Sequence, residues 1–256
     1  MKLLIDLGNT RLKWALWDGA GLRRGGAVAH AGNLTIDFAA LWKDISKVDA
    51  VFVASVAGDA VEDSLGRHSR ELFGLDPQFI ISSAAACGVR NAYAQPERLG
   101  VDRFLGLIAA HADTRGPTVI ASCGTALTLD ALATDGSHAG GLIAPSPALM
   151  QAALRRNTAR LVDSGAARVV ELADNTADAV ESGTWWAAVA LTERFFARAT
   201  VRFGATPALI LTGGGAQDLA NLVTLPHRID GDLVLRGLAQ FAEEHEPDAP
   251  PTSAVG

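Results

Sequence analysis

The sequence predicts an α/β protein in which one pattern, a β-hairpin followed by alternating helices and strands, occurs twice. Three observations carry this. Lys2-Leu3-Leu4-Ile5 is a short apolar run closing on Asp-Leu-Gly-Asn-Thr, and Thr118 to Ser122 is a second such run closing on Cys123-Gly124-Thr125. Each is followed by a return segment, Leu12 to Trp17 and Ala126 to Ala131. The breaker pair Gly116-Pro117 then sets the expected boundary between an N-terminal domain, 1–117, and a C-terminal domain, 118–246.

In chain order, Lys2 to Ile5 reads as a buried strand and Gly8-Asn9-Thr10 as the turn into its partner. Val28 to Ala31 is read as a third strand, Phe38 to Ile45 as a helix, and Ala50 to Ser55 as another buried strand. Val61 to Phe73 is helical in period, Gln78 to Ser82 is read as a strand, and Glu97 to Thr114 as a helix. In the second half, Pro147 to Leu161 and Ala177 to Arg198 are expected helices. Ala208 to Thr212 is a strand ending in Gly213-Gly214-Gly215, and Leu233 to Glu244 is a final helix. The segment 247–256 is rich in Pro, Ser and Ala and is expected to be disordered.

Of 256 residues, 49% are apolar and 20% charged, which is a globular composition. The net charge is −6 with both signs interspersed, so no basic footprint for nucleic acid is expected. Asp6 interrupts the N-terminus before a signal-peptide core could form, and no apolar run approaches the roughly 20 residues of a membrane span. Cys87 and Cys123 make no metal-spaced pair and fit a reducing, cytoplasmic setting.

Four segments carry chemistry. In Asp6-Leu7-Gly8-Asn9-Thr10-Arg11-Leu12-Lys13, a strand ends in a carboxylate and turns on Gly. Such a turn can aim backbone N–H groups at phosphate, with Lys13 adding charge and Asp6 able to hold Mg²⁺. The same residues also suit a tight hairpin with Asx capping, and Walker spacing is absent. In Gly100-Val101-Asp102-Arg103, the acid is either a helix cap beside a surface Arg or a general base beside an anion clamp. Gly124-Thr125 with Thr128 and Asp130 is either a second phosphate-facing hairpin or an ordinary buried one. Thr212 to Gly215 can admit a flat ring against backbone or form a plain turn. His111 and His138 read as isolated structural residues, Trp185-Trp186 as packing, and Arg155-Arg156 as a solvated face.

Together, in this order and spacing, the four segments resemble the type III pantothenate kinases of the acetate/sugar kinase, Hsp70 and actin superfamily, over nearly the whole chain. The resemblance implies two ribonuclease H-like domains with an interdomain cleft, and phosphorylation of pantothenate by ATP as the first step of coenzyme A biosynthesis. It implies that Asp102 accepts the proton, and that Tyr93, Gly100, Val101, Asp102, Arg103 and Thr176 contact pantothenate, with Arg103 nearest its carboxylate. It places Asp6 to Lys13 and Thr125 at ATP, with Asp6 at Mg²⁺. Leu142 to Pro145, Asn175-Thr176 and Gly183 also lie where the family has comparable segments. It further implies a homodimer with the pocket near the subunit interface, and a monovalent cation, K⁺ or NH₄⁺. Many members carry Asp where this chain has Ser122, so a weaker cation response is expected here. Competing expectations are another small-molecule kinase of the superfamily or a non-catalytic accessory factor; a chaperone-like ATPase would need a further domain. The intact Asp6, Lys13 and Asp102 favour chemistry.

Overall fold

A computed structural model describes residues 1–30, 36–157 and 167–245. The expected disordered segment 247–256, Ala31 of the expected third strand, and residues 158–161 of the expected fourth helix lie outside these. The chain divides into two compact units, Met1–Ile81 together with the chain from Val234, and Ser82–Leu233. The expected boundary at 117/118 thus differs from this division. The reason is that α3 (Val101–Asp113) packs on the strands that follow it, as described below, and so belongs with the second unit.

The first unit is built on a sheet of order β3-β2-β1-β4-β5. β1 (Lys2–Leu7) runs antiparallel to β2 (Arg11–Trp17), which runs antiparallel to β3 (Leu22–Ala29). After α1 (Phe38–Trp42), β4 (Ala50–Ser55) pairs parallel with β1; after α2 (Asp59–Phe73), β5 (Gln78–Phe79) pairs parallel with β4. Side chains alternate along a strand. Leu3, Ile5 and Leu7 therefore join Leu12, Trp14, Val51 and Val53 in one core under α1 and α2. Helix α1 is capped by Asp37, whose side chain accepts the Ala40 N–H. Helix α2 buries Val61 and Leu65, one turn apart, and closes on Gly74 at φ +69°. Lys2, Leu4 and Asp6 take the opposite face of β1.

The second unit opens with a short hairpin, β6 (Ala85–Ala86) and β7 (Val89–Arg90). The helix expected over 97–114 is broken in two: a 3₁₀ turn at Pro96–Arg98 and then α3. Leu99 is extended, with ψ 128°, and Gly100 is the N-cap, so the true helix starts at Val101. The main sheet has order β10-β9-β8-β11-β12. β8 (Thr118–Cys123), β9 (Ala126–Leu132) and β10 (His138–Pro145) form an antiparallel meander. Helices α4 (Pro147–Asn157) and α5 (Thr176–Phe203) lead to β11 (Ala208–Thr212), parallel to β8. Helix α6 (Ala216–Leu222) leads to β12 (Arg228–Ile229), and α7 (Leu233–Glu244) follows. The two sheets thus share one topology, position by position: the repeat read from the sequence is a repeat of the fold. Val119, Ala121, Leu127, Leu129 and Leu211 pack with α5 and α6 in one core. The alternate residues, Ile120, Ser122, Thr128 and Asp130, face the other way, toward α3.

Candidate active site

In the first unit, β1 ends in the Asp6 to Lys13 turn. The Gly8 N–H donates to the Arg11 carbonyl at 2.9 Å, closing a tight hairpin. A Cβ on Gly8 would lie 3.1 Å from that carbonyl, so a side chain there would crowd the turn. His30, buried and unremarked in the sequence, fastens the turn twice: its N–H donates to the Thr10 carbonyl at 2.8 Å, and its Nε2 bonds the Gly8 carbonyl at 2.9 Å. Asn9, Thr10 and Arg11 are exposed and Leu12 is buried. Asp6 and Lys13 are direct cross-strand partners, which puts a carboxylate and an ammonium on the same sheet face. Asp6, Lys13 and the exposed turn form a polar strand end that can take a phosphate with its metal.

The second unit repeats this end with neutral residues. Ser122 occupies in β8 the position that Asp6 occupies in β1: its partners are Thr128 on β9 and Thr212 on β11, as those of Asp6 are Lys13 and Ala54. The Gly124 N–H donates to the Ala126 carbonyl at 2.9 Å, as Gly8 does to Arg11. Thr125 is exposed at this turn, and the Ser146 hydroxyl donates to its carbonyl at 2.9 Å. The Gly213 to Gly215 run has a reason internal to the fold. Gly213 adopts φ +89°, the Gly215 N–H donates to the Cys123 carbonyl at 2.8 Å, and a Cβ on Gly215 would lie 2.8 Å from the Cys123 sulfur. Burial pushes the Cys123 thiol up to about 11, aided by the Asp218 charge, so it stays protonated and inert.

Asp102 is the second residue of α3, and its carboxylate folds back over Gly100. A Cβ on Gly100 would sit 2.6 Å from Asp102 Oδ1, so glycine is required for this approach. Burial raises the Asp102 pKa; the Arg103 N–H and charge oppose this, while the Asp130 charge adds to it. A carboxylate that readily takes a proton is suited to general-base work.

The neighbouring Arg103 is not the surface residue that a random Asp-Arg pair suggests. Its side chain is only 5% exposed, and it forks onto Asp130, Nε to Oδ2 at 2.9 Å and Nη2 to Oδ1 at 2.7 Å. Asp130 is therefore not phosphate-facing, as the hairpin reading allowed; it is buried and faces α3. His138 is likewise not isolated. Its Nε2 lies 3.0 Å from Asp130 Oδ1, and its ring stacks on Tyr93 with centroids 6.2 Å apart. Arg103 Nη1 donates to the Tyr93 hydroxyl at 3.1 Å. Burial alone would raise the Asp130 pKa, but the hydrogen bonds from His138 and Arg103 hold it below the usual carboxylate range. Burial alone would lower the Arg103 pKa, and Asp130 drives it up instead.

Two local devices make this possible. A β-bulge between His138 and Gly140 in β10 brings His138 and Gly141 to the face that carries Asp130. Gly141 leaves room for the pair: a Cβ there would lie 2.5 Å from Arg103 Nη2 and closer still to Asp130 Oδ1. Asn91 shapes the Tyr93 loop, accepting the Tyr93 N–H at 3.0 Å and donating to the Pro96 carbonyl at 3.0 Å. The signal for Asp130 was present in the sequence: an acid at an inward position of an otherwise apolar strand needs a buried cation.

Thr176 opens α5, behind the N-cap Asn175, whose side chain accepts the Asp178 N–H. It lines a largely apolar cavity of about 1000 Å³ with Pro145, Met150, Val180 and Gly183. Trp186 and Trp185 pack against the core, as expected, and Arg155 and Arg156 are exposed. Among the described residues, no helix is long and apolar enough to cross a membrane.

The family model for type III pantothenate kinase matches residues 2–198. The chain belongs to that family. A type III pantothenate kinase of Nitrosococcus oceani is 37% identical over 252 residues, covering 95% of this chain and 94% of the relative. One of Burkholderia mallei is 39% identical over 258 residues, covering 94% and 99%. Solved structures share the fold at low identity. An activator of 2-hydroxyisocaproyl-CoA dehydratase from Clostridium difficile with bound ADPNP superposes with TM-score 0.54 at 11% identity, covering 99% of both chains. A Campylobacter jejuni chain assigned to the Baf family of transcriptional activators gives TM-score 0.59 at 21%, covering 94% and 98%. Type III pantothenate kinases are thus relatives at the level of sequence, and the actin and sugar-kinase type of α/β fold, with two ribonuclease H-like sheets, is shared more widely.

Proposed function

We propose that the protein transfers the γ-phosphoryl group of ATP to the terminal hydroxyl of pantothenate, giving 4′-phosphopantothenate, the first step of coenzyme A biosynthesis. The observation that carries this reading is Asp102, a half-buried carboxylate with a raised pKa in the first turn of α3, directly before Arg103 in a chain of this family. Asp102 accepts the proton of the attacking hydroxyl. Arg103 and Tyr93 face the acid end of pantothenate, and Thr176, which lines the apolar cavity beside α4 and α5, also contacts the substrate. The Asp6 to Lys13 turn and Thr125 hold ATP phosphates. Phosphoryl transfer leaves little covalent work for the protein, so holding both reactants and neutralising charge are its main tasks.

Mg²⁺ fits the residues present. No cluster of three His, Cys, Asp or Glu side chains suited to a metal occurs among the described residues, and Mg²⁺ in kinases needs only one or two carboxylates beside substrate phosphates. Asp6 would hold it, and the bound ion would supply charge neutralisation on the phosphates. For a monovalent cation, Ser122, Thr128 and Thr212 offer hydroxyl oxygens without charge. The chain acts as a homodimer in this reading, supported by Leu142, Ile143 and Leu149, large apolar residues exposed on β10 and α4.

The deciding experiment measures ADP release from Mg-ATP with and without pantothenate, in K⁺ buffer at several pH values. Pantothenate-dependent ADP formation with equimolar 4′-phosphopantothenate is expected. Equal rates with and without pantothenate would defeat the reading.

A further inference from the structure

The buried polar cluster of the second unit is a closed ring. Arg103 forks onto Asp130, Asp130 Oδ1 also meets His138 Nε2, the His138 ring stacks on Tyr93, and the Tyr93 hydroxyl accepts from Arg103 Nη1. An ionised carboxylate only accepts, so the proton in the contact with His138 sits on Nε2. The His138 side chain is fully buried and that of Asp130 is 4% exposed.

Counting donors shows what the ring does. A guanidinium has five N–H groups. Nε and one hydrogen of Nη2 go to Asp130, and one hydrogen of Nη1 goes to Tyr93. One N–H remains on each terminal nitrogen, the pair that can fork a further carboxylate. A lone arginine side chain would sample many rotamers and lose that entropy on binding. Here three side chains, from β9, β10 and the Tyr93 loop, fix the guanidinium plane beforehand. A buried ion pair is weak evidence for stability, since an apolar pair of similar volume often serves as well. Retaining a third polar group, His138, on a carboxylate already forked by Arg103 calls for a further purpose.

We propose that Asp130 and His138 are positioning residues that set the two unused N–H groups of Arg103, and through them the preference of the enzyme for an acceptor bearing a carboxylate. The proposal rests on the pantothenate reading above. Its effect falls on selection of the acid end of the substrate, not on the proton transfer at Asp102 or on the nucleotide.

The test is the ratio of kcat/KM for pantothenate to kcat/KM for pantothenyl alcohol, which keeps the reacting hydroxyl and replaces the carboxylate by CH₂OH. Both substrates are measured in one preparation, so a reduced folded fraction cancels. The variants are Asp130→Asn, which keeps shape, His138→Phe, which keeps the stack on Tyr93, and His138→Gln, which keeps an N–H donor. The ratio should fall about tenfold or more in Asp130→Asn and His138→Phe, the size of a lost hydrogen bond to a charged group. His138→Gln should restore most of it, and KM for ATP should stay unchanged in all three. An unchanged ratio in soluble Asp130→Asn or His138→Phe, whatever the loss in Tm, would overturn the proposal and leave the pantothenate reading intact. A wild-type enzyme that phosphorylates neither compound would overturn both.

Discussion

Replacing Asp102 by Asn keeps the side-chain shape and removes its basicity, and the structure separates the two consequences by size. Asp102 lies in the first turn of α3 and accepts the Arg103 N–H. Loss of a negative charge at a helix N-terminus costs about 0.3–1 kcal/mol. Against this, the pKa is raised because burial penalises the charge, so removing it relieves a term of opposite sign. The net change in stability is then within about 1 kcal/mol, or about 2–4 °C in Tm for a chain of this size. Loss of a general base costs about 10²–10⁴-fold in kcat, which is about 2.7–5.5 kcal/mol of barrier. The assay is steady-state ADP release at saturating pantothenate and ATP, together with KM for ATP and Tm by calorimetry. We expect a hundredfold or greater fall in kcat, on the order of the lower limit for a base, with KM for ATP little changed. Turnover within about threefold of wild type, accompanied by a lower Tm, would leave Asp102 as no more than a stabilising charge in the first turn of α3 and refute the assignment.

Four further predictions follow from named contacts. Because the Asp102 pKa is raised, the acidic limb of kcat/KM for pantothenate should lie above the ordinary carboxylate value of about 3.9, and a limb at or below that value would exclude Asp102 as the base. Asp130 has the opposite sign: its depressed pKa contributes stability at pH above about 3.9 that is lost as pH falls below it, so Asp130→Asn should flatten the acid-unfolding profile there. Gly141→Ala should lower stability by about 1–3 kcal/mol, because the new methyl meets the Leu129 carbonyl as well as Arg103 Nη2 and Asp130 Oδ1; an unshifted Tm would show that strand and side chains both move aside. Ser122→Asp should strengthen activation by K⁺, since it places in β8 the carboxylate that Asp6 places in β1; an unaltered K⁺ titration would mean that Ser122 does not face a cation.

The sequence by itself determined the repeated hairpin-and-helix pattern, the family, and the segments from which the site is built. Apolar runs ending on Asp6-Leu7-Gly8 and Ser122-Cys123-Gly124 are local signals, because alternation and turn chemistry act over a few residues. The tertiary structure alone decided which polar residues meet. Asp130 and His138 lie 27 and 35 positions beyond Arg103 by sequence number, and only the parity of β9, the bulge in β10 and the packing of α3 bring them to one face. The start of α3 also escaped a periodic reading, since Leu99 and Gly100 interrupt a stretch whose apolar spacing looks continuous. The division into compact units after Ile81 was equally hidden from the sequence. A helix is assigned by what it packs against, and α3 follows the first sheet in sequence while burying its apolar face on the second.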